Sequence, residues 1–288
     1  MKKIVLYSVL IFFSSGLPVR NSRAEIIRIA YFEVAPHMYY SKEEGRPRGA
    51  TIAYFEKVVE EMGKRVEWVG PLPFSRMVSL LKEGKEVDGT PLMSKTSERR
   101  QFLYYPQYFY YLARPNFVVR KNNPLNAVHS IEDVKGFVIS QFNKAANSRF
   151  VTEHLPYFRF DKLSTGDKLF EQQLKKLILG RVDAIHTLDE YTILFEAERL
   201  KLEGEVKLLV LPESPWPFYS VFVRNERGKR LTKEFDAAFE KSGYRPGHYR
   251  DMVQLEFDRI SKKEITGAPS PRNRIYRHPK SGGSRSSH

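Results

Sequence analysis

Short apolar runs alternate with amphipathic stretches along most of the chain. Residues 26–31 form an apolar run of strand length, and residues 51–62 then carry apolar side chains three and four positions apart, as on one face of a helix. A second apolar run at 66–69 and a second short amphipathic stretch at 77–81 repeat this order. Alternating strands and helices predict an α/β domain with mainly parallel strands flanked by helices.

The same pattern restarts after Pro115. Further strands are predicted at residues 117–119, 137–140, 182–185, 206–211 and 219–223, and further helices at residues 169–179 and 233–242. The sequence thus predicts two similar α/β lobes, with the chain crossing between them near 115–119 and again near 216–222. We expect residues 25–116 and 219–261 to form the first lobe, and residues 117–218 to form the second.

Residues 1–24 have the layout of a secretory signal peptide. Lys2 and Lys3 precede an apolar run at 4–13, and the small residues Ser22 and Ala24 stand at the positions that a signal peptidase requires. The alternative is a membrane anchor, but this run is too short for a hydrocarbon core that needs about 20 residues. We therefore expect cleavage after Ala24 and a mature protein in the bacterial periplasm, a location that the absence of cysteine also fits.

The apolar pattern stops at the other end of the chain. Residues 262–288 combine glycine, proline and serine with arginine and lysine, a composition typical of disorder. We predict a disordered basic tail; a basic arm that binds an acidic surface is the functional alternative to plain solvated sequence.

The charge of the 288-residue chain lies mostly at its two ends. The formal net charge is +14, of which residues 1–24 carry +4 and residues 262–288 carry +6. A folded basic face is therefore not indicated, and we expect a monomer that does not bind nucleic acid.

The absence of cysteine excludes disulfides, thiolate catalysis and zinc fingers. The seven histidines of the chain are scattered, and no motif for a catalytic nucleophile, a nucleotide or a metal occurs. We therefore expect no catalytic residue, cofactor or metal.

Six short motifs occur in an order that resembles one known protein family. They are Gly45 and Gly49 before the first helix, LLKEGKEVD at 80–88, TSER at 96–99, YPQY at 105–108, SIEDVKG at 130–136 and LGRVDA at 179–184. Together they resemble the family 3 extracellular solute-binding proteins, which deliver polar amino acids and similar small molecules to ABC importers. The resemblance covers about residues 26–258.

The resemblance implies a two-lobed periplasmic-binding-protein fold, with two hinge segments and a small-molecule ligand held in the cleft between the lobes. It also implies an ABC permease in the inner membrane as the partner. Two other functions stay open on the same scaffold: a receptor-like binding module for a membrane sensor, and an enzyme similar to exported dehydratases that acts on a small acid.

Arg99 is the main candidate for ligand binding. In the family, the arginine of the TSER-like motif holds the carboxylate of the ligand, and a guanidinium suits this role because it is planar, permanently charged and bidentate. The alternative is that Arg99 lies at the surface and pairs with a nearby acid. Arg100, one position later, is a second candidate for the arginine that binds the ligand. Thr96 and Ser94 either bind the ligand or only cap the turn, and Thr96 is expected to begin a helix whose N-terminus favours an anion.

Further candidates surround this motif. Arg76 is either a second anion contact or a solvated arginine on a helix face. Tyr31, Phe32 and Phe74 are candidates for an aromatic wall, with burial in the core as the alternative.

The second lobe departs from the family pattern at two positions. The glycine-containing turn expected after its first strand is replaced by SQFNK at 140–144, and the aspartate expected to bind an α-amino group is replaced by Leu188. Asp189 follows one position later. These departures make an ordinary α-amino acid doubtful as the ligand and leave Gln141 and Asp189 as candidates for contacts to another polar or anionic molecule.

Overall fold

Two separate β-sheets form the cores of two lobes in the computed structural model, which describes residues 24–163 and 168–265. The strands are β1 (Ile26–Ala30), β2 (Tyr39–Ser41), β3 (Arg46–Arg48), β4 (Arg65–Val69), β5 (Gly89–Ser94), β6 (Leu103–Tyr104), β7 (Tyr111–Ala113), β8 (Asn116–Arg120), β9 (Val138–Phe142), β10 (Arg159–Leu163), β11 (Ala184–Thr187), β12 (Val206–Val210) and β13 (Trp216–Val223). The helices are α1 (Ala50–Glu61), α2 (Phe74–Glu83), α3 (Arg149–Glu153), α4 (Leu169–Ile178), α5 (Thr192–Arg199), α6 (Glu226–Lys241) and α7 (Pro246–Ile265).

The two sheets share one topology. The first has the order β4-β1-β5-β13-β6, with β7 also paired to β13, and the second has the order β10-β9-β11-β8-β12. In each lobe three strands run parallel, and the strand that follows the crossing, β13 or β8, is antiparallel to its neighbours. The two-lobed α/β prediction is confirmed, but the sheets are mixed rather than mainly parallel, because the crossing strands enter from the opposite direction.

Strand membership also locates the two crossings. Asn116 already pairs with the second sheet, and Trp216, Pro217 and Phe218 pair with β7 of the first. The second crossing therefore ends before Trp216, so 216–218 belong to the first sheet although the sequence assigns them to the second lobe.

Each sheet is covered by apolar helix faces at the spacing that the sequence predicts. In the first lobe, Phe55 and Val58 of α1 and Phe235 of α6 are buried with Ile27 and Ile29 of β1. In the second lobe, successive residues of β8 point to opposite faces of the sheet, so Phe117 and Val119 belong to one cluster and Val118 to another.

An aspartate ties two parallel strands together at the same place in each lobe. In the first lobe, the backbone N–H of Arg28 donates to the Asp88 carboxylate at 2.8 Å, and the Asp88 N–H donates to the Arg28 carbonyl at 2.7 Å. In the second, Val138 and Asp183 repeat both bonds at 2.8 and 2.9 Å. The aspartates of the LLKEGKEVD and LGRVDA motifs are therefore structural, since each fixes the strand that leads to the cleft.

The ends of the chain differ partly from expectation. The α7 helix continues to Ile265, so the first four residues of the segment predicted to be disordered are helical. The predicted signal peptide up to residue 23 and the tail from residue 266 lie outside the described residues. Across the described ranges, no helix is long and apolar enough to cross a membrane.

Candidate functional site

A cleft between the two lobes contains about 760 Å³ of empty space, part of it open to solvent. Its walls come from the carboxyl ends of strands: Ser94 ends β5, Phe142 ends β9, and Leu188 follows β11. Ligands of α/β sheets bind at this edge, because the side chains that follow neighbouring strands converge there. The cleft is therefore the candidate functional site.

Arg99 is the fixed positive charge of this cleft. Its side chain is buried, with 8% of the residue exposed, and it folds back so that Nη1 donates to the Ser94 hydroxyl at 2.6 Å and to the Ser94 carbonyl at 3.2 Å. Thr96 Oγ1 accepts a hydrogen bond from the Arg99 backbone N–H at 3.2 Å. Ser94 at the end of β5 thus holds the guanidinium, and Thr96 of the following loop holds the backbone of Arg99.

The charge of Arg99 has no acidic partner within salt-bridge distance among the described residues. Burial lowers the pKa of the guanidinium, although arginine stays protonated at any ordinary pH. A buried charge without a counterion costs several kcal/mol unless something compensates for it. An anion in the cleft would supply that compensation.

Aromatic rings form much of the remaining wall. The Arg99 guanidinium lies 5.6 Å from the centre of the Phe74 ring. Phe74 packs edge to face against Phe32 of its own lobe at 5.0 Å and against Phe142 of the other lobe at 5.4 Å. Phe170 and Phe218 also line the cleft. The space beside the charge is therefore largely apolar and is closed by a contact between the lobes.

His37 connects the first lobe to Asp189 of the second. Its Nε2 lies 3.2 Å from Asp189 Oδ1, and its Nδ1 lies 2.5 Å from the Tyr249 hydroxyl of α7. Because a carboxylate only accepts, Nε2 donates and, in the neutral ring, Nδ1 accepts from Tyr249. Tyr249 is also bonded to Thr51 of α1 at 2.7 Å. The network is buried and joins both lobes along one wall of the cleft.

Gly49 holds His37 at the start of α1. The backbone N–H groups of Ala50 and Thr51 donate to the carbonyls of Pro36 and His37 at 3.0 and 2.9 Å. Gly49 has a φ of +119°, and a Cβ there would lie 2.4 Å from the His37 carbonyl oxygen. A larger residue would push this loop away from the helix, which explains the second glycine of the motif before α1.

Both oxygens of the Asp189 carboxylate accept hydrogen bonds within the protein. Besides His37, Oδ1 accepts from the backbone N–H groups of Tyr191 and Thr192 at 2.9 and 2.7 Å, and Oδ2 accepts from the Thr192 hydroxyl at 3.0 Å. Burial alone would raise the pKa of Asp189, but the bonds from His37 and Thr192 outweigh it and lower the pKa below its ordinary value. Asp189 is therefore an ionised group at the start of α5 that already has its partners.

His186 is the second histidine of the cleft. It lies in β11 with 6% of its surface exposed, and its Nε2 has no hydrogen-bond partner in the described structure. Burial lowers its pKa to about 4, so the ring is neutral at ordinary pH. It can give or accept one hydrogen bond to a ligand without adding charge.

The structure brings together five of the nine predicted site residues and places four elsewhere. Phe32, Phe74, Ser94, Arg99 and Asp189 line the cleft. Tyr31 is fully buried against Trp68, Arg76 is exposed and lies 3.9 Å from Glu83, Thr96 supports the backbone of Arg99, and Gln141 donates to Asn147.

The helix expected to begin at Thr96 is absent. Arg99–Gln101 forms only a single 3₁₀ turn, which is too short to supply the charge of a helix N-terminus. The ligand site near Arg99 therefore depends on the side chain itself.

Sequence reasoning missed His37, Phe142, His186 and Phe218 as cleft residues. Phe142 and His186 were detectable in principle, because each stands at the carboxyl end of a strand that leads to the cleft. His37 carries no such signal, since its partners are remote in sequence. In the described part of the chain, no three His, Asp or Glu side chains are grouped closely enough to hold a metal ion.

Comparison with known proteins agrees with this architecture. Residues 27–254 match the family of bacterial extracellular solute-binding proteins, family 3. A sequence search of the curated proteins finds no match.

Solved structures share the fold at low identity. The periplasmic domain of BvgS from Bordetella pertussis has a TM-score of 0.66 at 14% identity, covering 84% of this chain and 46% of that one, so this chain spans about half of its length. AbpA, an amino acid ABC transporter substrate-binding protein from Streptococcus pneumoniae bound to L-arginine, has a TM-score of 0.66 at 19% identity, covering 82% and 95%. A Salmonella typhimurium periplasmic binding protein with high arginine specificity has a TM-score of 0.62 at 19% identity, covering 81% and 100%.

Proposed function

Because the chain belongs to the bacterial extracellular solute-binding proteins of family 3, we propose that it captures a small carboxylate-bearing solute between its lobes. The observation that carries the proposal is the buried guanidinium of Arg99, which has no acidic partner among the described residues and faces an apolar cleft. A carboxylate in the cleft accepts hydrogen bonds from Arg99 and removes the cost of its isolated charge.

Hinge closure is the proposed means of capture. The ligand cleft is bounded by both lobes, and the contacts between them include the Phe74–Phe142 ring pair, the His37–Asp189 hydrogen bond and the Tyr111–Glu190 hydrogen bond. Separation of these contacts opens the cleft to solvent, and their formation encloses a ligand. The loaded protein is then proposed to dock on an ABC permease in the inner membrane, after export to the periplasm directed by residues 1–24.

A role in import is supported by the solved relatives, two of which are a transporter's substrate-binding protein and a periplasmic binding protein, both described with arginine. The alternative of a module that reports to a membrane receptor is supported by the similar fold of the BvgS periplasmic domain. Capture of the solute is common to both roles, so the first experiment addresses binding.

Binding without chemistry is favoured by the state of the titratable groups. Both ring nitrogens of His37 are engaged, and Asp189 has no oxygen free of a donor. Among the described residues that line the cleft, His186 has a buried nitrogen without a partner, which favours the enzyme alternative. Incubation of the protein with each bound carboxylate, followed by mass spectrometry of the solution, distinguishes the two: we expect the compound to be recovered unchanged.

The test of the proposed function is a thermal-shift screen of amino acids and organic acids on the mature protein, followed by calorimetric titration. A ligand at about 100 times its Kd adds about 2.7 kcal/mol to the free energy of unfolding. We expect Arg99→Met to weaken binding about tenfold to a hundredfold, since a hydrogen bond to a charged group contributes about 1.5–3 kcal/mol. Arg100→Met is the matched control, because Arg100 is exposed beside it. Equal affinities in the two variants would refute the assignment.

A further inference from the structure

We infer that the ligand is a monocarboxylate with an apolar body and no α-ammonium group, such as an aryl- or branched alkyl-carboxylate. The inference rests on the proposed function, since it assumes that Arg99 holds a carboxylate. It goes further by assigning the rest of the cleft to a hydrocarbon group rather than to the amine of an amino acid.

The free donors of the cleft suit a ligand that carries a carboxylate. Among the described residues that line the cleft, Arg99 and Asp189 are the only ones with a permanently ionised side chain. Asp189 stays ionised but already accepts four hydrogen bonds from the protein, including one from His37 of the other lobe. The Arg99 guanidinium donates only through Nη1 to Ser94, so its other N–H groups are left for the ligand.

An ammonium group would have to compete with the protein for the one carboxylate among the described residues that line this cleft. Oδ1 of Asp189 already accepts three hydrogen bonds, so an ammonium would share Oδ2 with the Thr192 hydroxyl or displace His37, and loss of the His37 bond costs about 1–3 kcal/mol. Leu188, at the position where the family resemblance leads one to expect an aspartate, lines the cleft with an apolar side chain. Burial of an ammonium that lacks a full set of acceptors costs free energy, so the site selects against amino acids.

The walls suit a hydrocarbon body instead. Five phenylalanines line the cleft, namely Phe32, Phe74, Phe142, Phe170 and Phe218. Phe142 stands where the family resemblance leads one to expect a small polar turn, and its ring packs on Phe74 beside the guanidinium. Transfer of apolar surface to such walls contributes about 25 cal/mol per Å², whereas a polar side chain finds few partners there.

His186 completes the recognition of a neutral or anionic oxygen. Its buried Nε2 lacks a partner within the described structure, and the ring lines the cleft that also contains Arg99. A hydrogen bond from this ring to a carboxylate, keto or hydroxyl oxygen of the ligand satisfies a nitrogen that would otherwise remain unpaired.

Matched pairs of compounds test the inference by calorimetry. Hydrocinnamate and L-phenylalanine differ only in the ammonium group, as do isocaproate and L-leucine; hydrocinnamide lacks the carboxylate charge. We expect each desamino acid to bind at least about tenfold more tightly than its amino acid, a difference of about 1.4 kcal/mol, and we expect hydrocinnamide not to bind. Leu188→Asp should reverse the preference within a pair, and Leu188→Asn, which adds polarity without charge, should not.

The outcomes separate the inference from the function on which it rests. If an amino acid binds more tightly than its desamino partner and Arg99→Met abolishes its binding, the function stands and the ligand class is wrong. If the desamino acids bind equally to wild type and Arg99→Met, or if no carboxylate of the series binds, both are overturned. A thermal unfolding curve of each Leu188 variant shows whether it is folded. If neither variant folds, the preference of the wild-type protein within each pair of compounds decides whether the inference holds.

Discussion

His37 and Asp189 lie 152 residues apart in the sequence, yet a hydrogen bond of 3.2 Å joins them across the two lobes. The bond is one link of a buried series that runs from Thr51 through Tyr249 to His37 and ends on a carboxylate at the start of α5. The same polar side chains therefore stabilise the inside of each lobe and the contact that closes the cleft.

Loss of the His37 ring should shift the protein toward an open form. His37→Ala removes one of the hydrogen bonds between the lobes, while the Tyr111–Glu190 bond at 3.0 Å stays. The backbone donors of Asp189 also stay in place, so both lobes remain folded. We expect small-angle X-ray scattering of the ligand-free variant to give a larger radius of gyration than wild type.

Thr192→Val is the matched control for this effect. It removes a bond to the same carboxylate, at 3.0 Å, but within one lobe. An identical radius of gyration for wild type and His37→Ala would contradict the role of His37 in holding the two lobes together.

Replacement of Arg99 by methionine should stabilise the ligand-free protein while it weakens binding. The substitution removes a buried charge that has no counterion in the described structure, and Tyr105 still donates to the Ser94 carbonyl at 3.1 Å. Apolar replacement of a buried ion pair is often neutral or stabilising by about 1–4 kcal/mol, and a single charge without a counterion has less attraction to offset its desolvation. A higher Tm than wild type without ligand is the expected result; a lower Tm would mean that Arg99 mainly supports the fold.

His186 should make the protein less stable as the pH falls from 6.5 toward 4. Its pKa is lowered by burial to about 4, so in this range the unfolded chain binds a proton that the folded chain does not. The stability is therefore full above pH 6.5 and is lost on acidification, by about 3 kcal/mol in total.

Urea unfolding at several pH values measures this loss. His186→Gln keeps a polar side chain but cannot titrate, so its stability should fall less over the same range. Parallel pH profiles for the two proteins would contradict a neutral buried imidazole.

Asp183 should contribute to stability through its acceptor oxygen rather than its charge. It accepts the backbone N–H of Val138 at 2.8 Å, so Asp183→Ala leaves a strand donor unpaired and is expected to cost about 1–3 kcal/mol. Asp183→Asn retains an oxygen at the same place and should cost less. Chemical denaturation of both variants checks the order, which would be wrong if the two lost the same free energy.

The sequence by itself determined the two α/β lobes and indicated Arg99 as the main candidate for ligand binding. Apolar periodicity specifies which faces of helices and strands are buried, as in α1 and β8, because burial of apolar surface depends on local spacing. The crossing after Pro115 is visible for the same reason, as the pattern starts again there. Arg99 was recognised through the motif that contains it.

Only the tertiary structure decided which polar groups remain available to a ligand. Asp189 is a plausible ligand contact in the sequence, but it is committed to His37 and to the start of α5, whereas Arg76 is directed to Glu83 at the surface. Hydrogen bonds between groups far apart in sequence depend on how the two lobes meet. The local spacing of apolar residues carries no information about that contact. This long-range pairing decides which donors and acceptors of the cleft stay free, and the proposed ligand chemistry rests on it.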